Sequence, residues 1–219
     1  MNFDSLKLSP LEILLGTDPM SAKSQFAEVF DLTGAIWQVA QNICQNVIDV
    51  AHIDMNQVAI DYVRCKTGQP HGTLATLTPL RFENGRQSMK VEGQTLIAQQ
   101  VFDQSGREVL YLLTVYVPRF TSLDYREKLV TLAHELWHIS EEFNGDLRRF
   151  AGRYYAHGGS EKDFDLQAER IIQRWQATDP PNELTDFLRL DLDGLVHQYG
   201  RVIGQKFTKQ KMLSVENHC

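Results

Sequence analysis

The pentapeptide His134-Glu135-Leu136-Trp137-His138 constrains this chain more than any other stretch of it. Two histidines four positions apart project from one face of an α-helix, where 3.6 residues per turn sets them about one turn from each other and close enough to share a metal ion. Glu135 then falls where its carboxylate can serve whatever the two imidazoles hold. The surroundings support the helix. Leu129, Leu132, Ala133, Leu136, Trp137 and Ile139 recur at spacings of three and four, which predicts a half-buried helix between Leu123 and Phe143. Thr121-Ser122-Leu123-Asp124 offers N-cap candidates, Glu127 suits the first turn, and Asn144-Gly145 is the expected stop.

The rest of the chain reads as packing around that helix. Residues 1–20, with Pro10, Gly16 and Pro19, form a lead-in segment. Apolar periodicity from Ser24 to Ala51 predicts one long helix, or two joined near Thr33-Gly34. Val58 to Cys65, Thr73 to Phe82, Thr95 to Phe102 and Val109 to Val117 carry strand signals, and Asp103-Gln104-Ser105-Gly106 suits a hairpin between the last two. Beyond the central helix, loop is expected to Ser160, then a helix from about Asp163 to Ala177. Asp179-Pro180-Pro181 breaks it, and a helical extension follows over 180–219. The expected class is α+β, as a single domain with a small, mostly antiparallel sheet.

A chain of 219 residues with 42% hydrophobic and 23% charged content can build one good core. Its net charge of -6 argues against nucleic acid as the main partner, because phosphate binding needs concentrated basic surface. Three cysteines, Cys44, Cys65 and Cys219, lack metal-ligand spacing and fit a reduced, cytoplasmic protein. Cys44 and Cys65 are expected in the core, and the His218-Cys219 pair stands apart as a stray candidate ligand. No signal peptide or membrane span is expected from the hydropathy pattern.

Two imidazoles on a helix with an intervening glutamate suit Zn²⁺, which in catalytic sites takes three protein ligands and leaves a fourth position open. A third donor is therefore required. Metzincin spacing would put glycine at 141 and histidine at 144, but the chain has Glu141 and Asn144 there. His157, followed by Gly158-Gly159, ranks first on ligand chemistry. Glu161 and Glu169 are the alternatives from a later helix, and Asp146 comes behind them.

The residues Thr131 to Ile139, Glu142 to Arg149 and Tyr155-Ala156-His157-Gly158 together resemble the phage-type metallopeptidase family. They are similar, more distantly, to the SprT-like zinc proteases, in which a third histidine followed by glycine comes after the metal helix. The resemblance is specific from about Leu132 to Gly158. It implies a zincin-like fold and one zinc per chain, held by His134, His138 and His157. The expected activity is peptide-bond hydrolysis through a zinc-bound water activated by Glu135, on a peptide or protein substrate. Arg153, Tyr154 and Tyr155 are candidates to contact the substrate or the developing oxyanion. The alternative is a zinc-binding module that holds a partner without cleaving it, against which the intact Glu135 speaks. Val109 to Val117 is the strand expected at an exposed edge, where an extended peptide could add. Arg148 and Arg149 are expected to pair with Glu141, Glu142 and Asp146.

Overall fold

The computed structural model describes residues 12–15, 29–66, 72–103, 105–150, 161–207 and 212–215, and within them the chain is α+β. In order come β1 (Glu12–Leu15), β2 (Val29–Asp31), α1 (Leu32–Asn46), β3 (Val58–Arg64), β4 (Ala75–Pro79), β5 (Ser88–Val91), β6 (Gln94–Ala98), β7 (Val101–Phe102), β8 (Glu108–Val109), β9 (Tyr111–Val117), α2 (Tyr125–Trp137), α3 (Glu161–Gln176), α4 (Asn182–Thr185), α5 (Leu192–Tyr199), β10 (Arg201–Gly204) and β11 (Met212–Val215). The strands form four small sheets, ordered β1-β10-β2, β11-β6-β5, β3-β9-β4 and β7-β8.

The sheet that positions the site is β3-β9-β4. Its middle strand β9 runs parallel to β3 and antiparallel to β4. Covered on both faces, β9 is apolar almost throughout. Tyr111, Leu113, Val115 and Val117 enter the main core with Val58, Ile60 and Tyr62 of β3. Leu112 points the other way, into a smaller cluster with Leu80, Val101, Val109 and Phe207. Helix α1 packs on β3 and α2 on β4, so the helices share the main face. The expectation that Val109 to Val117 lies at an open edge is therefore corrected: the edge strand beside α2 is β4. A strand that is apolar at every position but Thr114 signals burial on both faces, which suits a central strand better than an edge.

Three helical expectations are also revised. The N-terminal helix is shorter than Ser24 to Ala51, because Val29–Asp31 pairs in parallel with β10 before α1 begins. Asp31 caps it, accepting from the backbone of Gly34 and the hydroxyl of Thr33 at 3.0 and 2.9 Å. Helix α2 starts as expected, with Asp124 and Glu127 bonding each other's backbone N–H at 2.7 and 3.0 Å, a pairing that contributes about 1 kcal/mol. It stops at Trp137, well short of Asn144-Gly145. The chain turns out there because Arg148 N–H takes the His138 carbonyl at 2.6 Å and Ile139 pairs with Leu147. Gly145 serves the return instead: its φ is +86, and a Cβ there would overlap the Arg81 side chain. The expected helical extension, finally, ends in strands. α5 closes at Gly200, with φ +77, and Val202-Ile203 continue as β10 between β1 and β2.

Two buried charges tie these layers together. Lys128 of α2 is 2% exposed, and its ammonium donates to the carbonyls of Leu188 and Leu190 at 2.8 Å each. Burial lowers its pKa to about 8. Asp61 of β3 is 5% exposed and accepts from Phe207 N–H at 2.9 Å, and burial raises its pKa from 3.8 to about 6. The folded state thus holds the Asp61 proton more tightly than the unfolded one. That contribution to stability is complete below pH 4 and is lost as pH rises through about 6. Asp61→Asn keeps an acceptor for Phe207 and removes the ionisation. We expect it to gain about 1–3 kcal/mol over wild type at pH 7 and nothing at pH 4, as measured by urea unfolding at both. An equal change at the two pH values would rule out the titration as its cause.

Candidate metal centre

His134 and Glu135 stand in the last turn of α2 and His138 is the residue that follows it, still helical at φ -68, ψ -17. The expected one-turn juxtaposition is present: the imidazole centroids lie 5.0 Å apart with their planes at 70°. Phe164 of α3, 3% exposed, packs against both rings at centroid distances of 4.7 and 4.5 Å. One residue on, Asp165 places Oδ1 at 3.0 Å from Nδ1 of His134. A carboxylate on Nδ1 fixes the tautomer with its proton there and leaves Nε2 as the donor atom, the arrangement that orients metal-binding histidines.

Glu135 points from the helix toward β4. It is 7% exposed and accepts a hydrogen bond from the backbone N–H of Leu77. Burial raises its carboxyl to about 7, with the Leu77 bond pulling the other way. The origin of that N–H follows from the ladder. Tyr116 N–H bonds Leu74 carbonyl and Leu80 N–H bonds Leu110 carbonyl, so even-numbered residues of β4 face β9. Ala75, Leu77 and Pro79 therefore turn their backbone groups to the open side. The edge of β4 and the carboxylate of Glu135 meet at Leu77.

The remaining candidates separate into those the structure assigns elsewhere and those it leaves undescribed. Glu169 pairs with Arg126, two turns before His134 on α2. Together with the Asp165–His134 contact this sets α2 and α3 antiparallel, so residue 161 begins α3 at the His138 end. Asp146 is turned away: Arg149 binds both its carboxylate oxygens at 2.9 Å, Asn84 and Leu147 donate backbone N–H, and together they hold its pKa below the usual range. Arg148 pairs with Glu141 and lies 3.7 Å over the Trp137 ring, while its Nε donates to Trp137 carbonyl at 2.9 Å. The structural pairing expected for both arginines is thus present. Cys44 is buried, with its thiol pushed up to about 12, as a core residue should be. Arg153, Tyr154, Tyr155 and His157 fall in 151–160, and His218 and Cys219 in 216–219, outside the described residues.

Among the described residues no group of three or more metal-binding side chains comes together. Two imidazoles one turn apart, His134 with its tautomer set by Asp165, fit zinc as part of a donor set, and Phe150 and Phe164, 6.0 Å apart, bring the chain on either side of 151–160 to the same place. Sequence reasoning missed Asp165 and Leu77. Asp165 had a signal, since Glu161, Asp165 and Glu169 form one acidic stripe at four-residue spacing on the helix already singled out. Leu77 had none, because its part is played by a backbone N–H. No helix among the described residues is long and apolar enough to cross a membrane. No family model matches the chain, and comparison with curated proteins and with solved structures finds no significant match.

Proposed function

We propose that this chain is a zinc-dependent metallopeptidase of zincin-like architecture. His134, His138 and His157 would hold the metal, and Glu135 is the general base. The observation that carries the reading is the position of Glu135. It is a buried carboxylate set between two imidazoles in sequence and bonded to the open edge of a strand. Zinc bound there would supply an acidified water and polarise a scissile carbonyl. Glu135 accepts a proton at its carboxylate and passes it to the leaving amine. Asp165 keeps His134 in the donor tautomer. An extended peptide adds to β4, where the backbone groups of Ala75 and Leu77 carbonyl turn outward, and its scissile bond is thereby laid beside Glu135.

Elemental analysis of metal-stripped, zinc-reloaded protein tests the centre. Wild type is expected to retain about one zinc per chain and His157→Ala to lose most of it. If His157→Ala keeps its zinc, Glu161, which begins α3, becomes the next candidate for the third ligand. Asp165→Asn is expected to weaken zinc binding by about 10–100-fold in a chelator competition, since Nδ1 of His134 would lose its charged partner. Unchanged affinity in Asp165→Asn would remove its role in fixing the histidine.

A further inference from the structure

On the face of β4 opposite α2 lies a cavity of about 450 Å³, a size typical of side-chain and small-ligand pockets. Thr78, Leu80, Phe82, Met89, Ala98 and Leu147 line it. Two of these connect it to the candidate centre. Thr78 directly follows Leu77, whose N–H holds Glu135, and Leu147 pairs with Ile139, the residue after His138. Thr78 and Leu147 thus stand next to residues of the centre, and because neighbouring strand residues face opposite ways the pocket lies across β4 from Glu135.

Its cations do not make it an anion site. Arg81 is paired with Glu108, and Arg149 is held by both oxygens of Asp146 at 2.9 Å. What is left facing the cavity is largely apolar. Side chains of an added strand alternate in direction every residue, so a peptide lying on β4 sends one residue near its scissile bond toward this space.

We propose that this pocket selects a large apolar side chain, phenylalanine or leucine in size, within two positions of the cleaved bond. The proposal rests on the peptidase reading, but occupancy of the pocket does not need cleavage. Burying such a side chain favours it over alanine by about tenfold or more.

Two measurements test it. In the first, protein carrying ¹³C-methyl methionine is titrated with acetyl-Gly-Phe-Gly-amide and acetyl-Gly-Ala-Gly-amide. The Phe peptide is expected to shift the Met89 methyl resonance and saturate, and the Ala peptide to need at least tenfold more. Ala98→Trp, which fills the space, should abolish the shift. The buried Met55 methyl should stay in place in that variant as the check that the fold is intact. In the second, the zinc-loaded protein is given a mixed peptide library and its cuts are mapped by mass spectrometry. Cuts are expected to cluster near Phe, Leu and Met, and to move toward small residues in Ala98→Trp. A Met89 methyl that ignores the Phe peptide, or cuts without apolar preference, overturns the pocket. A Met89 shift in a protein that cuts no peptide leaves the pocket standing and overturns the peptidase reading.

Discussion

Glu135→Gln is expected, on the peptidase reading proposed above, to keep zinc and lose turnover, with kcat lower by about 10²–10⁴-fold, the usual worth of one positioned proton-transfer group. Glutamine matches glutamate in shape, and its Oε1 can accept from the Leu77 N–H that the carboxylate now engages. The helix, the two imidazoles and the strand edge should then stay as they are. What is lost is the capacity to take a proton from water and return it to the amine. The separation of effects is the point of the experiment: metal content and melting temperature should match wild type while the rate of peptide cleavage collapses. A variant with wild-type metal and a rate within threefold of wild type would take Glu135 out of the reaction. One with reduced metal would show that the substitution had disturbed the ligands beside it, and Glu135→Asp, which keeps the acid but shortens its reach, would then separate the two causes.

Trp175→Ala is expected to cost stability on a scale that no other single truncation in α3 should match. Trp175 is the largest side chain buried completely, at 0% exposure, and its indole N–H donates to Asn42 of α1 at 2.9 Å. Deleting an aromatic side chain from such a place typically costs about 3–5 kcal/mol, part lost burial and part residual cavity. In a protein of this size that is roughly 6–20 °C in Tm, which a calorimetric scan resolves readily. Trp175→Phe should recover most of it and miss only the hydrogen bond to Asn42, worth about 1 kcal/mol. Because α3 also carries Phe164 and Asp165, loosening its far end should weaken zinc binding in Trp175→Ala before the protein melts. A Tm within 2 °C of wild type would show that α3 is not anchored through this residue.

How much of this was legible in the sequence depended on whether the signal lay in side-chain periodicity or in tertiary pairing. The capping residues Asp124 and Glu127, the one-turn spacing of His134 and His138, and the α3 boundaries are local, and they stand as the residues imply. The end of α2 was misjudged because Asn144-Gly145 is a good helix stop in isolation, and what stops the helix earlier is Arg148, which reaches back to His138. The hairpin of β5 and β6 was missed. It turns at Glu92 and Gly93, both at positive φ, but Ser88 to Val91 has too little apolar alternation to announce a strand. The choice between β4 and β9 as the edge is a matter of strand order, which depends on pairings far apart in sequence. For the candidate site, the ionisable residues of α2 were visible at once. The N–H of Leu77 belongs to every residue type but proline, and only the register of β4 against β9 selects it.

The placement of β10 between β1 and β2 bears on the order in which the molecule can be assembled. Residues 12–15 and 29–31 have no partner strand until residues 201–204 have been made, so during synthesis they wait through some 170 intervening residues. The helix with His134 and the three-stranded sheet beneath it close over much shorter loops, between residues 58 and 138. A ribosome-bound chain can therefore hold a formed candidate centre while its first strands are still unpaired edges, exposed to chaperones and to other nascent chains. Chains truncated near 180 and near 210 and freed from the ribosome should differ sharply in protease sensitivity before α1, and little around α2.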